Sequence, residues 1–221
     1  MRLPDSIAIL LLVAALTAGA PAAFPAPPQT RAEALGALES PDAAARAEAV
    51  VWLANRGGMA DAPLLHARLR DESPFVRGYA EQGLWLLWSR SGDPEIDRVM
   101  AHGTAEMQAG RHSEAIRIFS AIIETRPDFA EGWNRRATVY YLAGEYRKSI
   151  ADCGEVLKRN PGHFGALSGL GQIYVQLEDY AAALEWYRRA LEVNPNMVGV
   201  EMSIRVLEER MKARRAPGQS T

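Results

Sequence analysis

Three prolines spaced 34 residues apart divide the second half of this sequence into equal lengths. Pro127, Pro161 and Pro195 each follow a stretch in which apolar residues recur at helical spacing. A proline cannot continue a helix, but it suits the turn before the next one. This period predicts copies of one unit built from two helices. Because such a pair cannot bury its apolar face alone, the copies are expected to stack.

Equivalent positions of the three copies carry similar side chains. Gly103, Ala137 and Gly171 are small residues at a position where two antiparallel helices must approach closely. Gly110 and Gly144 lie between the two helices of a copy, where a left-handed residue is often needed. Alanine, leucine, glutamate and arginine also outnumber valine and isoleucine, a balance that favours helix over sheet.

The last copy includes Leu170-Gly171, Tyr174 and Asn194-Pro195, and the whole pattern resembles the tetratricopeptide repeat (TPR) family. The resemblance implies an all-α protein, a right-handed α-solenoid of stacked antiparallel helix pairs. Glu106, Ser149 and Glu178 depart from the family pattern. Within residues 93–196, the three repeats are predicted at about 96–129, 130–163 and 164–197.

Residues 29–92 also show helical periodicity, with different turn residues. Those that carry the pattern are Leu64, Leu65, Leu69, Asp71, Ser73, Pro74, Val76, Arg77, Ala80 and Leu84. They resemble a HEAT repeat, in which the aspartate and the arginine lie at the turn and bridge neighbouring units. The alternative is a plain helical cap over the open end of the repeats. Trp85 and Trp88 share a helix face and are expected to pack near Val99 and Met100.

The two ends of the chain have their own patterns. Residues 1–23 predict a signal peptide, because an apolar run at 7–16 precedes small residues and is too short to span a bilayer. An uncleaved anchor is the alternative. We therefore expect an exported chain, periplasmic or secreted, with no membrane span after cleavage. The remaining segments are predicted as a Pro/Ala linker at 24–28, an amphipathic capping helix at 197–211 and a disordered tail at 212–221.

The sequence offers little catalytic chemistry. A net charge of -2 gives no reason to expect a nucleic-acid partner, and a single cysteine excludes a multi-cysteine metal site. His102 and Glu106 fall short of a zinc motif, and His102 occupies a predicted core-facing position. Cys153 lies on the core face of its helix and is interpreted as a small buried residue. We therefore expect no enzyme, cofactor or metal.

Two charged residues occupy anomalous positions in the repeats. Arg136 stands where the next copy has Leu170, and Glu106 stands where an aromatic residue is usual. A half-buried charge is costly unless it is paired. We therefore predict that Arg136 and Glu106 form an ion pair across the first two repeats.

The resemblance also implies that the first helix of each repeat lines a concave wall. Steps of three and four residues keep side chains on one helix face. The predicted wall consists of Met100, Thr104, Met107, Glu131, Asn134, Arg135, Thr138, Tyr141, Ser168, Gln172, Val175 and Gln176.

Such a wall suits an extended or helical peptide, so an adaptor that binds a polypeptide is predicted. The basic clamp of chaperone-tail-binding family members is not expected, because only Asn134 and Arg135 suit it. The alternative is a structural scaffold that self-associates or uses its convex face, with no ligand in the groove.

Overall fold

The computed structural model describes residues 26–215, which form eleven α-helices, one 3₁₀ turn at Met59–Asp61 and no strand. The predicted signal peptide at 1–23 lies outside the described residues. Along residues 26–215, none of the helices combines the length and apolar character that crossing a bilayer requires. The helices are α1 (Arg31–Ala37), α2 (Ala43–Arg56), α3 (Ala62–Arg68), α4 (Pro74–Ser89), α5 (Pro94–Gln108), α6 (His112–Thr125), α7 (Ala130–Leu142), α8 (Tyr146–Arg159), α9 (Phe164–Gln176), α10 (Tyr180–Val193) and α11 (Val198–Arg215).

Helices α5 to α10 form the three predicted hairpins. Helix α5 pairs with α6, α7 with α8, and α9 with α10. The second helix of each hairpin also packs against the first helix of the next, so that α6 contacts α7, α8 contacts α9 and α10 contacts α11. This continuous stack confirms the predicted all-α solenoid.

Glycines hold the two helices of a hairpin close together, as predicted. A Cβ atom added at Gly103 would lie 2.6 Å from Cε1 of Phe119, and one at Gly171 would lie 2.4 Å from Cδ1 of Tyr187. The turn glycine Gly144 has a φ of 74°, a left-handed conformation that costs glycine little. Glu178 takes the same role in the third hairpin with a φ of 57°.

Helix α11 covers the apolar face of α10. Its Val200 and Leu207 are buried, and Ile204 and Met211 pack in the same cluster. The helix continues to Arg215, so the first four residues of the predicted tail are helical. Residues 216–221 lie outside the described part of the chain.

Helices α1 to α4 form two further hairpins that meet where α2 packs on α4. Arg46 of α2 donates from Nε and Nη2 to the two carboxylate oxygens of Asp71, each at 2.8 Å. Both side chains are buried, and the bridge joins the two hairpins. The bridging arginine is thus Arg46, whereas Arg77 donates to Oδ1 of Asn196 beyond this unit, at 2.9 Å.

The N-terminal unit, residues 29–92, lies along the edge where the proline-bearing turns of the repeats are found. Near the last turn, Nδ2 of Asn196 donates to the carbonyl of Leu69 at 2.8 Å. Near the middle turn, the ring of Trp88 stacks on His163 with centroids 4.3 Å apart. Near the first turn, Arg126 donates to the carbonyl of Ser91 at 3.4 Å. We call this side of the array the proline edge, comprising residues 126–129, 160–163 and 194–197.

The predicted contact of Trp85 and Trp88 with Val99 and Met100 is therefore wrong. Both tryptophans pack on Phe164, with ring centroids 5.2 Å and 4.9 Å away. The cause is the short connection between α4 and α5. Its Arg90 donates to carbonyls at the end of α2, and α4 lies against α7 and the start of α9.

The predicted ion pair of Arg136 with Glu106 is also wrong. Arg136 donates to both carboxylate oxygens of Asp152 on α8, at 2.8 Å and 2.9 Å, and to Oγ of Ser120 at 3.0 Å. Glu106 instead pairs with Arg111 in the turn of its own hairpin. Each charge finds a partner closer in sequence than the one predicted. His102, expected to face the core, has a side chain that is 60 % exposed.

Candidate functional site

A pocket of about 130 Å³ opens between α7, α8 and α9, on the predicted concave wall, called the inner wall below. Helix α7 contributes Asn134, Thr138 and Tyr141 to its lining, and α9 contributes Ser168 and Gln172. These five residues come from two copies, and the stacking of α9 on α8 brings them together. We call this cavity the wall pocket.

Small residues give the wall pocket its depth. Ala137 and Cys153 are buried in its lining, beside Gly165 and Gly169 of α9. A Cβ atom added at Gly169 would meet no other atom within 4 Å. The pocket is thus open above this glycine, and a side chain from another molecule could enter there.

The wall pocket offers apolar and hydrogen-bonding groups to a ligand. Burial raises the pKa of the Cys153 thiol to about 12, so the sulfur stays protonated at neutral pH and acts as an apolar surface. The nearby Ser149 donates its hydroxyl hydrogen to the carbonyl of Ala137 at 2.7 Å. The amides of Asn134 and Gln172 supply hydrogen-bonding groups at the rim. Across residues 26–215, no group of three histidine, cysteine or acidic side chains could hold a metal ion.

The structure separates the predicted wall residues into accessible and buried ones. Thr138, Gln172 and Gln176 are exposed, whereas Met100, Glu131 and Ser168 are buried. Ser168 still lines the wall pocket, but Met100 packs in the core of the first repeat and Glu131 lies beneath the surface. The half-buried members are Thr104, Met107, Asn134, Arg135, Tyr141 and Val175.

Glu131 belongs to a buried polar cluster that the sequence did not predict. His163 is fully buried, and its Nδ1 accepts the N–H of Ala166 at 3.0 Å. Its Nε2 therefore carries the proton and lies 3.3 Å from Oε2 of Glu131. The Arg135 guanidinium approaches Oε1 of the same carboxylate at 2.7 Å.

The cluster sets the charge state of Glu131. Burial alone would raise the pKa of this carboxyl, but the hydrogen bond from His163 and the charge of Arg135 hold its pKa below the usual 4.5. The carboxylate is thus charged and internally paired. This explains why it is not available to a ligand on the wall.

Helix α4 closes one end of the inner wall. A Cβ atom added at Gly165 would lie 2.3 Å from Cη2 of Trp85. Trp85 also meets the His163 ring edge-on, with centroids 5.4 Å apart. Trp85 thus covers the first turn of α9 at Gly165, beside the wall pocket.

Comparison with known proteins agrees with the repeat pattern and the stacked hairpins. Tetratricopeptide repeat models match residues 100–153 and 165–197. A TPR repeat-containing protein of Rhizobium etli is 31 % identical over 146 residues, which are 66 % of this chain and 72 % of that relative. The chain belongs to the tetratricopeptide repeat family. The family models match no part of residues 29–92, so the HEAT-like character of that unit stays a prediction.

Other TPR proteins are similar over shorter stretches. The small glutamine-rich tetratricopeptide repeat-containing protein of Dictyostelium discoideum is 32 % identical over 110 residues, 49 % of this chain and 33 % of that protein. This chain therefore corresponds to about a third of that relative's length.

Solved structures share the TPR fold. The TPR domain of Sgt2 from Aspergillus fumigatus superimposes with a TM-score of 0.54 at 23 % identity, covering 58 % of this chain and 87 % of that one. The first TPR of Spaghetti (RPAP3), bound to the HSP90 peptide SRMEEVD, superimposes with a TM-score of 0.51 at 20 % identity. That match covers 53 % of this chain and 93 % of the other. At such identities the likeness extends to the fold alone.

Proposed function

We propose that this TPR protein is a non-enzymatic adaptor that binds a segment of another polypeptide on its inner wall. The observation that carries the proposal is the wall pocket. It joins a small apolar floor at Ala137 and Cys153 to the hydrogen-bonding groups of Asn134, Tyr141 and Gln172. A peptide side chain can fill such a pocket while its backbone bonds to the rim.

Two further observations support a peptide as the ligand. The Spaghetti TPR domain, which shares the fold, holds a peptide. In this chain, Trp85 of α4 lies against Gly165 in the first turn of α9, so α4 shortens the open wall at that end. A short extended segment fits this wall better than a long helix does.

Filling the wall pocket should weaken binding without unfolding the protein. Gly169→Leu places a side chain in open space inside the pocket, so we expect partner recovery to fall at least about tenfold, a loss of roughly 1.4 kcal/mol. Gly154→Leu is the matched control, because Gly154 lies on α8 outside the pocket lining and also has no atom within 4 Å of an added Cβ. Quantitative co-purification from the native compartment measures both variants.

Site-specific crosslinking then tests the place of contact. A photo-crosslinking residue at the exposed Gln172 should capture a foreign polypeptide, and one at the exposed Ala151 on α8 should not. The double variant Tyr141→Ala with Gln172→Ala should lose the same partner. Capture only from Ala151, or capture only of a second copy of this chain, would favour the self-associating scaffold instead.

We also propose that the chain is exported, on the strength of the signal-peptide pattern at residues 1–23. N-terminal sequencing of the protein isolated from cells should find a start near residue 23 or 24. A chain that keeps Met1 would contradict a cleaved signal.

A further inference from the structure

A second pocket lies at the junction between the N-terminal unit and the proline edge. Its volume is about 270 Å³, and its lining includes Met59, Trp88, Arg90, Arg126, Arg159 and Asn160. We call it the junction pocket. It shares no residue with the wall pocket.

Two buried hydrogen-bond donors belong to residues of the junction pocket and have no partner. Trp88 is 3 % exposed and Asn160 is 8 % exposed. The indole Nε1 of Trp88 and the amide Nδ2 of Asn160 are both buried, and neither makes a hydrogen bond. Leaving a buried donor unsatisfied costs about 1–3 kcal/mol, so an acceptor brought to either group would be favoured.

The charge around the junction pocket is positive. The lining contains three arginines, Arg90, Arg126 and Arg159, and one acidic residue, Asp128. Arg90 donates to the carbonyls of Ala54, Asn55 and Gly57 rather than to an acidic group. Asp128 is largely exposed and holds Arg126 at 3.3 Å, while Arg159 also pairs with Glu155 outside the lining at 2.6 Å. An excess of positive charge therefore remains in the pocket.

The amino end of α7 also borders the pocket. Phe129 and Ala130 line the pocket at the start of this 13-residue helix, and Phe129 provides no side-chain cap for its N–H groups. The amino end of a helix carries a partial positive charge and free N–H donors, which favour anions. Met59 and Phe129 add apolar side chains to the lining.

We propose that the junction pocket binds an oxyanion, the carboxylate or phosphate group of a small molecule or chain terminus. A small shift of the Trp88 and Asn160 side chains brings Nε1 and Nδ2 to the oxygens, which lie among the three guanidinium groups. The apolar part of the ligand rests on Met59 and Phe129. The pocket lies between the two parts of the molecule, so an occupied pocket ties α4 to the first two repeats. This site is independent of the peptide-binding wall.

The test follows the indole N–H of Trp88 by ¹⁵N NMR in the full chain. Sodium phosphate and sodium propionate are titrated separately at constant ionic strength, and Trp88→Phe identifies the resonance. We expect a saturable shift with a dissociation constant on the order of millimolar or tighter. A response to phosphate alone indicates a phosphate ligand, and a response to propionate alone indicates a carboxylate with an apolar tail.

Two charge-matched variants separate a site from general salt binding. Arg126→Gln should weaken binding about tenfold, and Arg126→Lys should restore part of it. Arg117→Gln removes the same charge on α6, where exposed Arg117 pairs with Glu114, and should leave binding unchanged. The proposal fails if neither anion gives a saturable shift, or if Arg126→Gln and Arg117→Gln respond alike while both keep the native circular dichroism.

Discussion

Two glycines on α9, two residues apart, differ in the space around them. Gly171 has the ring of Tyr187 so close that an added Cβ would overlap it at 2.4 Å, whereas Gly169 faces open space in the wall pocket. The first glycine is required because α10 packs directly on it. The second leaves room in the surface, and nothing in the packing of the hairpin demands it.

Alanine at these two positions should therefore act in opposite directions. Gly171→Ala must push α10 away from α9, and overpacking of this kind lowers the free energy of unfolding by about 2 kcal/mol. Gly169→Ala adds a methyl group where there is space and improves helix propensity, so it should raise stability by up to about 1 kcal/mol. Urea unfolding of both variants measures the difference. Equal effects would mean that the close approach of Tyr187 does not decide the requirement for glycine.

At the scale of elements, the second hairpin contains an arginine, Arg136, that links its helices. The other two hairpins have His102 and Leu170 at the equivalent position. Arg136 reaches from α7 to Asp152 on α8 and to Ser120 on α6, so one side chain joins three helices. Its guanidinium also lies over the ring of Trp133, 5.1 Å from the centroid. The hydrogen bond from Arg136 to Asp152 raises the pKa of the guanidinium above its ordinary value, as expected for a paired and partly buried cation.

Removing the carboxylate of Asp152 should weaken the link between α7 and α8 and destabilise the protein. Asp152→Asn leaves the Arg136 guanidinium with a neutral partner in a site that is only 17 % exposed. We expect the free energy of unfolding to fall by about 2 kcal/mol. Glu201→Gln, which removes an exposed pair with Arg205 on α11, should cause no measurable change. A comparable loss in both variants would show that the effect comes from charge in general.

Across the whole molecule, features inside one repeat were predictable and features between its two parts were not. Gly103 and Gly171 could be assigned because the 34-residue period places them opposite aromatic residues in their own hairpins. Five residues that line the wall pocket were also in the predicted wall, because the resemblance assigned the first helix of each repeat to it and helix geometry set the face. His163 was missed because its burial depends on Trp88, 75 positions earlier, and the sequence does not indicate which edge of the array the N-terminal unit covers.

The junction between the N-terminal unit and the repeats contains two ionisable groups, His66 and Glu131, whose pKa values are lowered in the folded protein. His66 of α3 lies beside the middle proline turn, where a Cβ atom added at Gly162 would be 2.8 Å from its Nε2. Burial, together with His163 and the charge of Arg70, lowers the pKa of His66 below 6.5. Glu131, in contact with His163, also has its pKa lowered from 4.5.

Both shifts predict that acid weakens the junction. Below about pH 6.5 the unfolded chain protonates His66 while the folded junction resists it, so stability falls as the pH drops towards the lower pKa of the folded state. Below about pH 4.5 the unfolded chain also protonates Glu131 before the folded state does, and a second loss follows. Above pH 7 neither group changes its charge, so neither should make the free energy of unfolding depend on pH.

Replacing His66 should remove the first of these two steps. His66→Gln stays neutral at every pH, so its unfolding midpoint should change less between pH 7 and pH 5 than that of the unaltered chain. His102→Gln, at an exposed histidine of α5, should keep the full change. Tryptophan fluorescence measures the unfolding, and two of the five tryptophans, Trp85 and Trp88, pack at the junction in edge-to-face contact with centroids 5.2 Å apart. If the His66→Gln variant loses stability in acid as steeply as the unaltered chain, the acid sensitivity arises elsewhere and the junction does not respond to pH through this histidine.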